Sequence, residues 1–248
     1  MDESIARERV DRCHKLARIE QLIRQTPSQH IAAADLEAAN IRHLPLSLNG
    51  DIEHHPHYFQ QYPEELPLPE KEDEEQLLEF PPDPNHILWD TRDMETFLTN
   101  HFCNSWEYAS DEYSHNPPPS GIYREIGDYK FGQLLESYRV QLAMLESEAI
   151  GDDRLLRGEI MTITDIMAAR LRTKSLRLHI IAPMLVISLM GPRHARVLEA
   201  DFDGEMLNIR ASKLYNFSRK NTESAQLITR YWLGGACGQT KLESMKYT

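Results

Sequence analysis

HIIAPMLVISLMGPRHARVLEADFDGEMLNIRA, residues 179–211, decides the fold class of this chain. From His179 to Met190 the run is apolar and β-rich, as expected of a strand buried on both faces. Gly191-Pro192 turns the chain. His194 to Phe202 alternates between apolar and polar residues, Asp203-Gly204 is a favoured two-residue hairpin turn, and Glu205 to Ala211 alternates again. Pairing across that turn sets Phe202 opposite Glu205, Ala200 opposite Leu207, and Leu198 opposite Ile209. One face of the hairpin is then Leu198, Ala200, Phe202, Leu207 and Ile209. The other carries Glu199, Asp201, Asn208 and Arg210 beside Val197 and Met206. The expected fold is α+β: mostly helical, with a C-terminal three-stranded antiparallel meander flanked by helices.

Helical periodicity surrounds this meander. Residues 4–25 place Val10, Cys13, Leu16, Ile19 and Ile23 at three- and four-residue steps, with Glu8–Arg12 and Asp11–Lys15 as acid-before-base pairs. Thr26-Pro27 stops that helix, and an Ala-rich stretch from His30 to Asn40 predicts a short second one. Asp90 or Thr91 can cap a helix carrying Met94, Phe97, Leu98 and Phe102. Phe131, Leu134, Tyr138, Leu142 and Leu145 predict a long helix over Tyr129–Glu148. Ile160, Ile163, Met167 and Leu171 mark another from Asp153 to Thr173. Asn221 can cap a last helix holding Ala225, Ile228, Tyr231 and Trp232, ended by Gly234-Gly235.

Between these units the composition changes. Residues 44–84 hold eight of the fourteen prolines, and Glu64 to Glu79 carries eight acids against one lysine. Such a stretch has little apolar surface to offset its ordering entropy. The expected organisation is a helical arm over 1–43, a disordered acidic Pro-rich linker over 44–84, and an α+β domain over 85–248. Tyr58, Phe59, Tyr62, Leu77, Leu78 and Phe80 are scattered through the linker. They serve either as a docking segment for a partner or as anchors onto the chain's own domain.

Charge follows the same division. The net charge is −12, with 24 acids and 9 bases in residues 1–115 but 15 acids and 18 bases in 116–248. That asymmetry points to self-association or to charged partners. No apolar run reaches the ~20 residues needed to cross a bilayer, so no membrane partner is expected. The N-terminus has neither the basic start nor the apolar run of a secretory signal, which points to cytoplasm or nucleus. The cysteines, Cys13, Cys103 and Cys237, are odd in number and widely spaced, and form no zinc or redox pair.

Few residues suggest chemistry. His54, His55 and His57 have no spacing suited to a compact metal site. Asp201-Phe202-Asp203-Gly204 is similar to the start of a calcium loop, but its glycine comes too early. The order helix, meander, helix resembles the opening of the PD-(D/E)XK nuclease fold. That resemblance would put metal-binding acids at Asp201 and at the Asn208-Ile209-Arg210 positions. Asn208 is a poor ligand and Arg210 cannot serve as a base at neutral pH. The remaining candidate is an anion-binding stripe. Arg170, Lys174 and Arg177 recur at helical steps, with Arg193 and Arg196 close in sequence. Arg172, His179 and His194 lie nearby. It would meet phosphate, or the chain's own acidic linker around Glu72–Glu75 as an autoinhibitory mask.

The stretches Ile181–Ser188 and His194–Ala200 also resemble a family type of filamentous fungi with no assigned activity, which implies an intracellular eukaryotic protein and transfers no site. The functional expectation is a non-enzymatic intracellular interaction or regulatory protein, with no cofactor, catalytic residue or metal, whose partner is another protein. The alternative is a divergent, inactive PD-(D/E)XK nuclease-like or nucleic-acid-binding module.

Overall fold

The computed structural model describes residues 3–48, 58–83, 85–109, 125–126, 129–136 and 141–241. In chain order the elements are α1 (Glu3–Gln25), α2 (Ala33–Ala38), β1 (Ile41–Pro45), β2 (Phe59–Gln60), α3 (Lys71–Leu78), α4 (Ile87–Tyr108), β3 (Glu125–Ile126), β4 (Tyr129–Glu136) and β5 (Gln141–Ile150). Then follow α5 (Arg157–Arg172), a 3-10 turn (Lys174–Leu176), β6 (Met184–Gly191), β7 (His194–Phe202), β8 (Leu207–Ala211), β9 (Tyr215–Asn216), α6 (Thr222–Trp232) and β10 (Gly235–Ala236). The fold is α+β.

The meander expected as a three-stranded antiparallel sheet flanked by helices is instead part of a larger mixed sheet. Its order is β1-β8-β7-β6-β5-β4-β3, with β9 beside β7. β1 runs parallel to β8 and β5 parallel to β6, while β7 runs antiparallel to both β6 and β8. The reason lies in β6, whose eight residues are all buried. A strand sealed on both faces also has buried backbone polar groups on both edges, and these need partners. β7 supplies one edge and β5 the other. The helix expected over Tyr129–Glu148 is therefore the β4–β5 hairpin, with Phe131 opposite Leu145 and Leu134 opposite Ala143.

The β7–β8 register also differs from expectation. Phe202 faces Leu207, Ala200 faces Ile209 and Leu198 faces Ala211. The Asp203 N–H donates to the Met206 carbonyl at 3.2 Å, and its carboxylate accepts the N–H groups of Glu205 and Met206 at 2.8 Å each. This side-chain turn holds residues 203–206 as a four-residue loop, with Gly204 at φ 114°. A shift by an even number of residues leaves every side chain on its original face. The apolar and polar faces of the hairpin are therefore as the alternation indicates.

One face is covered by α1 and α5. Leu16, Ile19 and Ile23 of α1 and Ile160, Ile163, Met167 and Leu171 of α5 pack on Met184, Val186, Leu198, Phe202, Leu207 and Ile209. The other face is covered by α4 and α6, with Met94, Phe97, Leu98, Phe102, Ile228 and Trp232 against Leu185, Ile187, Leu189 and Val197. There Phe102 and Trp232 stack at 4.8 Å between ring centroids. Asn221 caps α6 by accepting from the Ser224 N–H at 3.3 Å.

The segment 44–84 is not an irregular linker in its described residues. α3 lies within it, and Tyr58, Phe59, Tyr62, Leu66 and Leu77 are buried in the α4–α6 core. Its acids bind locally: Glu74 accepts from Lys220 and from the Thr222 hydroxyl, and Asp73 accepts from Asn100 at 2.9 Å. Backbone carbonyls at Leu66 and Tyr62 accept from Gln226 and Arg230. Of the scattered bulky residues, Tyr58, Phe59, Tyr62 and Leu77 anchor the segment and Phe80 is exposed, while its charges remain at the surface or find neutral or cationic partners. The arm is likewise part of the domain, because β1 extends the sheet and α1 lies on α5.

Candidate functional site

The five residues of the expected stripe do not share a face. Arg170 is buried on α5. Arg193 is buried beside α4, pairing with Asp90 at 3.1 Å and donating to the Phe80 carbonyl at 2.9 Å. Arg196 is buried at the start of α5. Its guanidinium reaches both oxygens of Glu159, at 2.8 and 2.5 Å, and donates to the carbonyls of Asp152 and Arg154. Glu159 also accepts the Leu156 N–H at 2.7 Å, so one carboxylate holds both the helix start and the strand cation. Arg193, in the turn before β7, and Arg196 on β7 thus fasten α4 and α5 to this part of the sheet. Lys174 and Arg177 remain exposed, but α5 ends at Arg172, so they project from the 3-10 turn and the residue after it. The proposed mask is also corrected, since Glu72 to Glu75 lie on α3 beside α4 and Glu74 is engaged by Lys220 and Thr222.

The polar face of the hairpin forms an ion-pair seam. Arg210 donates to one Asp201 oxygen at 2.6 Å, and Asn208 donates to the other at 3.1 Å. Glu199 lies 3.9 Å from the same guanidinium and accepts the Tyr58 N–H at 3.4 Å. Burial pushes the Glu199 carboxyl up to about 7, against the opposing pull of Arg210 and the Tyr58 N–H. Both Asp201 oxygens are thus taken by protein donors, and the positions matched to a nuclease hairpin build an internal clasp. Among the described residues no group of three or more His, Cys, Asp or Glu could hold a metal ion. His54, His55 and His57 lie outside the described residues.

A concave surface lies elsewhere, between α1 and the end of α5. It has a volume of about 650 Å³ and is lined by Ala6, Val10, Cys13 and Leu171, with Arg9, His14, Arg172, Thr173, Lys174 and Arg177 around them. Ala6, Val10 and Cys13 recur at steps of four and three and so form one stripe on α1. Cys13, Leu16, Ile19 and Ile23 are buried as expected, but Val10 is 55% exposed and opens onto this cleft. Periodicity alone counts Val10 with the buried stripe, so the sequence carries no signal that this end of it stays open.

The floor of the cleft is chemically closed. The Arg9 guanidinium donates to the carbonyls of Leu171, Thr173, Leu176 and His179, which ties α1 to the end of α5 and the chain that follows it. The Cys13 thiol donates to the Ala168 carbonyl at 3.6 Å, and burial raises its pKa although Arg172 and Arg9 pull the other way. Such a thiol is a poor nucleophile. The rim is different: Arg172, Lys174 and Arg177 are exposed, and none has an ion-pair partner among the described residues. Sequence reading placed Lys174 and Arg177 in this group, noted Arg172 only as a neighbour, and missed the wall contributed by α1.

A second concavity, about 680 Å³, is lined by Leu66, Leu68, Lys213, Tyr215, Glu223 and Arg230 among others. Its groups are engaged: Arg230 donates to the carbonyls of Tyr62 and Pro63, and Lys213 lies over the Tyr215 ring. The first cleft is the better candidate because its exposed cations have no ion-pair partner among the described residues. Comparison with protein-family models, with curated proteins and with solved structures found no match. No helix among the described residues is long and apolar enough to cross a membrane.

Proposed function

We propose that this chain is a non-enzymatic interaction or regulatory protein of the cell interior, cytoplasmic or nuclear, which engages another protein through the cleft between α1 and the end of α5. The observation that carries this reading is the pairing of an exposed apolar wall, Val10 with Ala6, and a rim of cations that have no ion-pair partner among the described residues. Binding surfaces combine an apolar centre with a polar rim that selects the partner. The cleft holds no activated nucleophile beside a base. Glu199 and His101, whose pKa values burial raises and lowers, lie inside the core on the α4–α6 side instead. The three cysteines are free thiols, in keeping with a reducing compartment.

The test is selection of a random peptide library on the immobilised full chain. Enriched peptides should compete with one another and lose binding to a Val10→Asp variant, whose exposed position leaves the core intact. Peptides that bind both proteins equally would place the interaction surface elsewhere.

A further inference from the structure

Resting on that reading, we infer that the cleft takes an acidic segment of a partner protein, in which one apolar side chain inserts against Val10 and Ala6 while flanking carboxylates meet Arg172, Lys174 and Arg177. Three features of the site specify this ligand.

The first is where the charges stand. A site built for a small ligand converges its polar groups at the bottom of the pocket. Here the inner polar groups are already used, since Arg9 serves four carbonyls and Cys13 serves Ala168. The cations that have no ion-pair partner among the described residues are at the mouth, so recognition happens along an edge, as it does for a chain segment lying across the opening. The second is the wall itself. Ala6 and Val10 are one turn apart on α1 and present a short apolar strip, enough for one inserted side chain rather than a long amphipathic face.

The third is the contrast with the rest of the chain. The protein carries a net charge of −12, so an acidic ligand is repelled by the molecule as a whole. Screening limits that repulsion to about 8 Å at physiological salt. Beside the rim the local field is set by Arg172, Lys174 and Arg177, and an acidic segment is steered there. The cations occur where α5 has ended, and Arg172 lies in its last turn near the carbonyl end of the helix dipole. Their placement has a structural role for Arg172, but Lys174 and Arg177 extend the positive surface beyond that turn toward the open side of the cleft.

The experiment is fluorescence anisotropy of a labelled twelve-residue peptide with one central Phe flanked by Glu and Asp, titrated with the full chain. Binding is expected at low salt, with affinity falling about tenfold or more as salt rises to several hundred millimolar. The double substitution Lys174→Glu/Arg177→Glu should reduce affinity about tenfold or more. Replacing the Phe by Ser in the peptide, or Val10→Asp in the protein, should also weaken it. These positions are exposed, and unchanged circular dichroism and melting would show that the variants are folded. The inference falls if the peptide binds the charge-reversed protein as well as the wild type. It also falls if a basic peptide, or a single-stranded oligonucleotide of matching charge without an apolar anchor, binds equally well. Library-selected peptides that occupy the cleft but carry no acids would overturn this inference while leaving the interaction reading intact.

Discussion

On the face of the sheet toward α1 and α5, the β7–β8 hairpin buries Leu198, Ala200, Phe202, Leu207 and Ile209 among aliphatic side chains. On the face toward α4 and α6, the neighbours of those residues are Glu199, Asp201, Asn208 and Arg210, which are equally buried. The same two strands thus meet the same exclusion from water with opposite chemistry. The apolar face is held by non-directional burial, about 25 cal/mol per Å². Its polar contacts are at the edges, where Arg12 donates to the carbonyls of Phe202 and Asp203 at 2.6 and 2.7 Å and Arg196 meets Glu159. The charged face is held by direction: each carboxylate is stable only while its donors stay in place. The comparison teaches that the first face can support a surface cleft at its rim because its core does not depend on charge. The second cannot exchange partners without exposing a buried ion.

The sharpest way to break this comparison is Arg210→Met. It removes the cation that Asp201 and Glu199 share. A loss of about 3–5 kcal/mol is expected, as for other broken buried pairs. Adding Asp201→Asn and Glu199→Gln should recover a substantial part of it, as measured by urea denaturation. If the triple variant is no more stable than Arg210→Met alone, the seam is not an electrostatic unit.

The matching change on the apolar face is Leu198→Ala, at a fully buried position. It should cost about 3 kcal/mol through lost burial and the cavity left behind. That loss should be independent of pH between 5 and 8, unlike that of the seam variants. A pH-dependent loss would mean that the two faces are coupled through the strand.

Protonation separates the faces further. Glu199 is raised from 4.5 to about 7 by burial, so the folded state holds a proton that the unfolded state releases. Its contribution is full below about 4.5 and declines as pH rises through about 7. His101, on α4 of the same face, is lowered from 6.5 to about 4 by burial, so its contribution declines as pH falls through that interval. The two slopes oppose one another. Glu199→Gln should remove the first and leave stability that rises with pH between about 4 and 6.5, by an amount on the order of 2 kcal/mol. Urea midpoints across this range check the sign, and an unchanged profile would place the titration elsewhere.

The smallest expected effect lies where the faces meet, at the loop joining β7 and β8. Gly204 has φ 114°, and a Cβ there would approach an Arg12 guanidinium nitrogen at 2.9 Å. Gly204→Val should therefore cost about 1–2 kcal/mol through backbone strain and disturbance of the Arg12 clamp. An unchanged melting temperature would show that α1 does not depend on this loop.

Local pattern determined a good deal of this protein. The ends of β7, the stripes Met94–Phe102 and Ile160–Leu171, the Asn221 cap and the two-faced hairpin could all be read from short windows, because periodicity is a property of a chain over one or two turns. It did not reveal that Ile41–Pro45 would join β8 across more than 160 residues of chain, or that the Tyr129–Glu148 stretch would pair as strands. Those outcomes follow from the unpaired edges of a buried sheet, which exist only once the sheet has formed. The candidate site divides in the same way. The positive charges were legible as residue types. Which of them remained free was not, because that depends on whether a carboxylate arrives from elsewhere. Glu159 reaches Arg196 and Asp90 reaches Arg193, while Lys174 and Arg177 receive no such partner among the described residues. Burial with a partner made Arg193 and Arg196 into fastenings, and the turn that ends α5 left Lys174 and Arg177 beside an exposed valine.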